Sequence, residues 1–204
     1  MAELQDTPNL SALYRSCWAR LRTAAELGSG GGWRIPVLGT LRGGRPRQRC
    51  VVLRRVDEER GLLWIHTDLR SGKVADICQD SRVSLLFYDS TTETQLWIGG
   101  SARVLTDGAE VDWLWEHSAA SSLRMYLAPG APGSAAEPGD CNLPESVRGR
   151  IPEVSELSAG RVNFAGVAVE AVEFEWLQLA RSGNQRAVFE RISANVVHER
   201  WVLP

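Results

Sequence analysis

The chain contains a single lysine against 22 arginines, and this lysine, Lys73, ends the segment 66–73, HTDLRSGK. Lysine is a compact charge on a flexible stem, whereas arginine presents a planar fork of donors. Ser71 has the residue type of a helix N-cap, and the free N–H groups and dipole at a helix N-terminus favour a phosphate. Four side chains of this segment could contact such an anion: Thr67, Arg70, Ser71 and Lys73. The alternative is that the position of the one lysine is incidental.

Two further arginines, Arg49 and Arg54, flank an apolar run with the composition of a strand. With a period of two, Arg49 shares one face with Val51, while Arg54 shares the other face with Val52. One of the two arginines must then point toward the interior side of the sheet, where a charge needs an anionic partner. The two arginines are therefore a second basic element of the candidate anion site.

An alternative interpretation assigns the same cations to ordinary surface ion pairs. Carboxylates that could pair with them occur at four nearby positions: Asp57, Glu58, Asp68 and Asp76. The residues alone leave this alternative open beside the phosphate site.

Several other kinds of site are excluded by order or spacing. The glycine run at 28–32 precedes a predicted strand and follows a predicted helix, which reverses the order of a dinucleotide-binding loop. The segment ending in Lys73 lacks the first glycine and the final Ser/Thr of a P-loop. The histidines, His66, His117 and His198, have no metal-binding spacing, so we expect no metal site.

The composition is that of an ordinary soluble globular protein, with 44% hydrophobic and 24% charged residues over 204 positions. A net charge of −2 provides no global attraction for nucleic acid or an anionic membrane. No apolar run is long enough to span a bilayer, and the N-terminus does not resemble a signal peptide. The four cysteines form no C-x-x-C pair. We therefore expect a single domain over 1–204, cytoplasmic, with reduced thiols and with no nucleic-acid or membrane partner.

Hydrophobic periodicity predicts an N-terminal helix followed mainly by strands. Helices are expected at 10–27, where the glycine run ends the first one, at 71–79 and at 109–118. Strands are expected at 35–40, 49–56, 62–67, 83–88, 95–105, 164–179, 185–192 and 196–203. A bulge or bend is expected at Gly99-Gly100, and a surface loop or lid at about 129–150. Many short strands and few helices predict a mainly β protein: an antiparallel β-barrel at about 35–203 with a few peripheral helices.

Six features follow one another along the chain: RCVVLR at 49–54, TD at 67–68, RSGK at 70–73, LLFY at 85–88, QL at 95–96 followed by Gly99, and Trp176 ten residues before Arg186. Together they resemble the FMN-binding split barrel of pyridoxamine 5′-phosphate oxidases, from about residue 35 to 192. The order and spacing are more specific than any one part. The segments are most similar to a bacterial and cyanobacterial subgroup of pyridoxamine-phosphate-oxidase-like FMN-binding proteins.

The resemblance implies FMN bound non-covalently at the subunit interface of a homodimer. It implies cofactor contacts, position by position, for Arg49, Val51, Val52, Arg54, His66, Thr67, Arg70, Ser71, Lys73, Gln95, Trp176 and Arg186. Ser71 and Lys73 would hold the phosphate, and Gln95 would lie near the isoalloxazine ring. Trp176 and Arg186 would reach the flavin from the second subunit.

The sequence departs from the family pattern mainly on the substrate side. The family's Ser-Arg-Lys reads SGK at 71–73, so one phosphate arginine is missing, and Arg70 is its expected substitute. The oxidases' Arg-x-His is replaced by Ser182 and Asn184, and their Arg-Pro before the substrate serine is absent from 118–122. We therefore expect FMN binding with a substrate other than pyridoxamine phosphate.

The resemblance implies a flavin-dependent oxidoreductase in which a hydride passes from a small-molecule substrate to flavin N5. No side chain stands out as an obligatory acid or base. Arg54, Arg124 and Tyr126 are the candidates for substrate contacts. Two alternatives stay open: a flavin-binding or flavin-sensing protein without turnover, and a split barrel that binds haem or a deazaflavin.

Overall fold

A computed structural model of the chain describes residues 9–26, 32–194 and 196–204. Its strands are β1 Val37–Arg42, β2 Arg45–Cys50, β3 Arg55–Asp57, β4 Leu62–Asp68, β5 Arg82–Asp89, β6 Thr94–Leu105, β7 Phe164–Gln178, β8 Gln185–Ser193 and β9 Val196–Val202. Its α-helices are α1 Leu10–Glu26, α2 Gly72–Gln79, α3 Ala109–Glu116, α4 Ala120–Leu123 and α5 Val154–Leu157. Short 3₁₀ turns occupy Arg124–Leu127, Glu145–Val147 and Ser158–Asn163. Most of the glycine run expected to end α1 lies outside the described residues.

The strands form one antiparallel sheet in the order β2-β1-β5-β6-β7-β4-β3, with β8 on β7 and β9 on β8. The longest strand, β7, organises this sheet because it pairs with β4 near its start, with β6 along most of its length and with β8 near its end. Within the described residues, no helix is both long enough and apolar enough to cross a membrane. The mainly β, antiparallel fold predicted from the sequence is confirmed.

The chain turns a corner between β2 and β3, and this corner closes the barrel. β2 pairs with β1, whereas β3 pairs with β4 at the other end of the strand order. Between the two strands, the N–H of Val51 donates to the carbonyl oxygen of Pro36 and the N–H of Leu53 donates to that of Arg34, both at 2.9 Å. The single strand predicted over 49–56 is therefore wrong. The segment exchanges one partner strand for another, so its middle residues belong to neither ladder.

A bulge in the long β6–β7 pair lies where the glycine pair predicted it. Gly99 is opposite Glu173, but the next residue, Gly100, is opposite Ala171, so the register shifts between the two glycines. A Cβ on Gly100 would lie 1.9 Å from the carbonyl oxygen of Glu170, so a side chain does not fit there. The bulge bends the sheet toward the closed barrel.

Apolar clusters lie on both faces of β4, which is why this strand is almost continuously hydrophobic. Leu63 and Ile65 belong to the cluster inside the barrel, which α1 covers, whereas Trp64 belongs to the cluster beneath α3 and the shorter helices. Because side chains alternate along a strand, the end of β4 directs His66 and Thr67 to opposite faces. The same strand end thus supplies polar groups to two sides of one opening.

The segment predicted as a loop at 129–150 has little regular structure, as expected from its composition. Asn142 closes its first part: Nδ2 donates to the carbonyl oxygen of Gly130 at 2.8 Å, and Oδ1 accepts from the Gly130 N–H at 3.0 Å. Asn142 has a φ of 52°, in the left-handed region that asparagine tolerates better than most residues. These paired bonds fix the loop's base beside the end of β4.

Candidate functional site

A cleft of about 490 Å³ opens at the corner between β2 and β3, beside the end of β4. This volume lies within the range of small-molecule sites. The residues predicted from the sequence that line it are Val51, Val52, Arg54, His66, Thr67, Lys73 and Tyr126. The 3₁₀ turn after α4 and the loop closed by Asn142 form the opposite wall.

The basic end of the cleft is built around Lys73. Its Nζ donates to Thr67 Oγ1 at 2.9 Å and to Ser71 Oγ at 3.4 Å, and the two hydroxyl oxygens lie 3.2 Å apart. In the part of the chain that the structure describes, Lys73 forms no ion pair with a carboxylate. Burial, and after it the charge of Arg49, lowers the pKa of Lys73. A half-buried ammonium with hydroxyl partners alone is well suited to an anionic ligand.

Ser71 occupies the N-cap position of α2, but its hydroxyl makes no capping hydrogen bond. The predicted helix start is confirmed, and the expected capping by the Ser71 side chain is wrong. The hydroxyl instead lies against Thr67 and Lys73. The first turn of α2 therefore keeps backbone N–H groups that could donate hydrogen bonds to an anion.

A buried carboxylate on α2, Asp76, organises two arginines that come from β1 and β2. The side chain is 1% exposed and accepts from Thr40 Oγ1 at 2.9 Å and from Arg42 Nε at 2.6 Å. Arg49 Nη2 adds a third contact at 3.3 Å. Burial raises the pKa of Asp76, but hydrogen bonds from Arg42 and Thr40 and both arginine charges outweigh burial, so the pKa is lowered. Two arginines thus share one carboxylate beside Lys73.

Arg70 does not line the cleft. Its Nη2 pairs with Asp68 Oδ2 at 2.7 Å, and its guanidinium donates to the carbonyl oxygens of Ala128 at 2.9 Å and Pro129 at 3.1 Å. Arg70 therefore ties the loop to the end of β4 and does not replace the missing phosphate arginine from this position. For Arg70, the alternative of ordinary ion pairing is the better description.

The other end of the cleft holds a neutral hydrogen-bonded pair. His66 Nδ1 lies 2.5 Å from the hydroxyl oxygen of Tyr126. Burial, and after it the charge of Arg54, lowers the pKa of His66 to about 3. Burial also raises the pKa of Tyr126, so both side chains are uncharged at neutral pH.

Arg54 lies beside this pair and has no carboxylate partner among the residues that the structure describes. Its Nη2 makes a long hydrogen bond of 3.4 Å to Ser122 Oγ, and its Nε is buried with no hydrogen-bond partner. Burial lowers the pKa of Arg54, and the charge of Arg34 adds to this effect. A half-buried guanidinium with no described carboxylate partner is suited to bind an anionic group of a ligand.

Three predicted residues, Gln95, Trp176 and Arg186, do not line the cleft. Gln95 and Arg186 are both opposite Leu177 in the β6–β7–β8 register, so they share one face of the sheet. Arg186 Nη2 pairs with Glu175 Oε2 at 2.7 Å. Trp176 belongs to the barrel core and is 7% exposed. The structure therefore does not bring these residues to Lys73 within one chain.

Of the predicted substrate residues, Arg54 and Tyr126 line the cleft and Arg124 does not. Arg124 Nη1 donates to the carbonyl oxygen of Arg150 at 2.5 Å. Ser122 and Asn142 line the cleft although sequence reasoning did not select them. Their sequence signals were weak, since each is a common polar residue outside a strand, and only the fold brings them to the opening.

Comparison with known proteins gives one family and several structural relatives. A family model described as pyridoxamine 5′-phosphate oxidase matches residues 34–139. The chain is 27% identical over 167 residues to pyridoxine/pyridoxamine 5′-phosphate oxidase 2 of Arabidopsis thaliana, with 78% of each chain covered.

Two solved structures share the fold over almost the whole chain. One is a pyridoxamine 5′-phosphate oxidase-related, FMN-binding protein from Nostoc punctiforme, with a TM-score of 0.66, 19% identity, and coverage of 97% of this chain and 100% of that one. The other is PhzG from Burkholderia lata in complex with tetrahydrophenazine-1-carboxylic acid, with a TM-score of 0.67, 20% identity, and coverage of 100% and 97%. These likenesses confirm the predicted split barrel.

Proposed function

The chain belongs to the pyridoxamine 5′-phosphate oxidase family, and from this membership we propose that it binds FMN non-covalently and acts as a flavin-dependent oxidoreductase. The observation that carries the proposal is the ammonium of Lys73 in the cleft, hydrogen-bonded to two hydroxyls and paired with no described carboxylate. Such a group is matched to a phosphate, which accepts charge-assisted hydrogen bonds.

The donor set of the cleft fits FMN. Lys73 Nζ and the hydroxyls of Thr67 and Ser71 would hold the phosphate at the basic end. Val51 and Val52, at the corner between β2 and β3, would lie along the ring system, because both line the same opening. The volume of about 490 Å³ and the combination of an apolar wall with a few convergent polar groups are typical of a cofactor site.

FMN, when bound, supplies a ring that accepts a hydride from the substrate. The role of the protein is then to bind and orient the flavin and the substrate, and to exclude water from the reacting atoms. His66 and Tyr126 are held together as an uncharged pair, so neither is poised to exchange a proton near neutral pH. This supports a reaction controlled by positioning.

We propose that the substrate is a small anionic molecule other than pyridoxamine phosphate. Arg54 supports the first part, because it reaches the cleft with no described carboxylate partner. Ser182 and Asn184 support the second part, because the family resemblance implies an arginine and a histidine at these positions for contact with the vitamin. Arg124 contacts Arg150 and adds nothing to the cleft.

We propose a homodimer in which each FMN site lies between subunits. Gln95 and Arg186 share one sheet face and do not line the cleft of their own chain. If both contact the cofactor, as the family resemblance implies, they must belong to a second copy. Trp176 would then support that face from the core beneath it.

Titration of flavin-free protein with FMN, followed by quenching of flavin fluorescence, tests the binding step. Saturable binding that depends on Lys73 supports the proposal, and absence of binding contradicts it. A second candidate, flavin binding without turnover, is favoured by the replaced substrate residues Ser182 and Asn184. Steady consumption of an amine, a pyridoxine compound or a reduced nicotinamide, lost when FMN is removed, would exclude that candidate.

A further inference from the structure

Arg42, at the end of β1, lies over Gly72. At position 72 the family's Ser-Arg-Lys has an arginine, whereas this chain has no side chain. A Cβ built on Gly72 would be 2.3 Å from Arg42 Nη2. The guanidinium of Arg42 therefore fills the space into which a side chain at position 72 would project. Gly72 is not among the glycines with positive φ, so its backbone does not itself require glycine. A side chain at position 72 would therefore have to displace the guanidinium of Arg42.

Asp76 fixes this arginine. Arg42 Nε donates to Asp76 Oδ1 at 2.6 Å, and the carboxylate is 1% exposed while the Arg42 side chain is half exposed. One nitrogen is thus anchored to a buried group, and the hydrogen bond raises the pKa of the guanidinium. In the part of the chain that the structure describes, the two Nη groups make no hydrogen bond, so they are available to a ligand.

The charges around the first turn of α2 do not balance. Arg42, Arg49 and Lys73 contribute three cations, and among the described residues Asp76 is the only carboxylate in ion-pair contact with any of them. Two positive charges remain. A phosphate monoester carries a charge of about −1.5 to −2 at pH 7, which would neutralise them.

We propose that Arg42 is a ligand of the FMN phosphate and provides, from β1, the guanidinium that position 72 lacks. This inference rests on the proposed function, because it requires FMN in the cleft. Gly72 and Arg42 are then one coupled unit: the glycine leaves the space and the arginine occupies it.

The affinities of the flavin-free protein for FMN and for riboflavin, which lacks the phosphate, test the assignment. The variant Arg42→Ala should bind FMN about tenfold or more weakly, as expected for the loss of a charge-assisted hydrogen bond, and should bind riboflavin as the parent does. Arg82→Ala is the matched control, because Arg82 pairs with Asp80 on the surface beyond the other end of α2. The control should change neither affinity.

The coupling to Gly72 gives a second, independent test. Gly72→Ala should weaken FMN binding by displacing the Arg42 guanidinium, which can move because only the tip of a flexible side chain is in the way. In the Arg42→Ala background the same glycine substitution should have no further effect. The exchange variant, Arg42→Ala with Gly72→Arg, should recover FMN affinity, which no general destabilisation would produce.

Four outcomes would overturn the inference. Unchanged FMN affinity of Arg42→Ala, or an equal loss for FMN and riboflavin, would remove Arg42 from the phosphate site even if the parent protein binds FMN. Additive effects of Arg42→Ala and Gly72→Ala would disprove their coupling. Failure of the parent protein to bind FMN at all is distinguishable from these results and would end the proposed function together with this inference.

Discussion

Lys73 Nζ donates to Thr67 Oγ1 at 2.9 Å, and this bond joins the first turn of α2 to the end of β4. The two residues are six positions apart, and the turn between them places an ammonium against a hydroxyl at the mouth of the cleft. Withdrawing an ammonium from water, even in part, is costly unless it is hydrogen-bonded, and the hydroxyls do not neutralise its charge, which remains for a ligand. This pair defines the basic end of the cleft, where the proposed FMN phosphate would bind.

Lys73→Ala should weaken FMN binding by about 1.5–3 kcal/mol, the scale of a hydrogen bond to a charged group. Riboflavin binding should change little, since riboflavin has no phosphate. The measurement is a fluorescence titration of the flavin-free variant with both flavins, and Arg181→Ala, in an exposed turn, is the control. Equal FMN affinity in the variant and the parent would remove Lys73 from the site.

The sequence grouped the residues at the basic end of the cleft because they are close along the chain. Thr67, Ser71 and Lys73 fall within one strand-to-helix turn, so local pattern and residue type were enough to group them. The corner after Cys50 was not predictable from alternation, because a period of two cannot show where a strand changes its partner. The prediction of a continuous strand failed there.

Other parts of the site depend on contacts between distant segments. Arg42 lies 30 positions before Gly72, and no local pattern connects them; only the absence of a side chain at position 72 was visible in the sequence. For Arg70, the local sequence was misleading. Its position beside Ser71 predicted a contact with the phosphate, but in the fold its partners are Asp68 and the loop carbonyls. Residue type predicts a charge but does not predict its partner.

Tyr126→Phe should lower the free energy of unfolding by about 1–2 kcal/mol, because the change leaves Nδ1 of the partly buried His66 without its hydrogen bond. Denaturant unfolding of the flavin-free protein measures this loss. Tyr88→Phe is the matched control, because Tyr88 is exposed and its hydroxyl can bond to water. Equal stability of the two variants would contradict the importance of the His66–Tyr126 pair.

The folded protein should lose stability as the pH falls below about 6.5, in part through His66. The pKa of His66 is about 3 in the folded state against 6.5 for an unperturbed histidine. The unfolded state therefore binds a proton that the folded state does not bind. Between these two pKa values, His66 lowers the free energy of unfolding by about 1.4 kcal/mol for each unit by which the pH falls.

Unfolding of the parent and of His66→Asn, compared between pH 7 and pH 5, isolates this contribution. The free energy of unfolding of His66→Asn should depend less steeply on pH than that of the parent. His198→Asn, a change at an exposed histidine, should follow the parent. The same pH dependence in the parent and in His66→Asn would show that His66 is not held neutral by the fold.

Arg186 should act in trans. If each site combines Lys73 of one subunit with Arg186 of the other, mixed dimers of Lys73→Ala and Arg186→Ala chains contain one intact site and one doubly altered site. Such dimers, prepared by co-expression with two different tags, should regain tight FMN binding at half of their sites. No recovery would indicate that both residues act within a single subunit.

The central claim, FMN in the cleft beside Lys73, is tested most directly by the chromophore of the purified protein. Its absorption spectrum is recorded, the cofactor is released by heat, and the released compound is identified by chromatography. We expect a flavin spectrum and FMN in an amount equal to that of the chain, after supplementation if purification removes the cofactor. A colourless protein that takes up no added FMN, or release of haem or a deazaflavin instead, would contradict the claim.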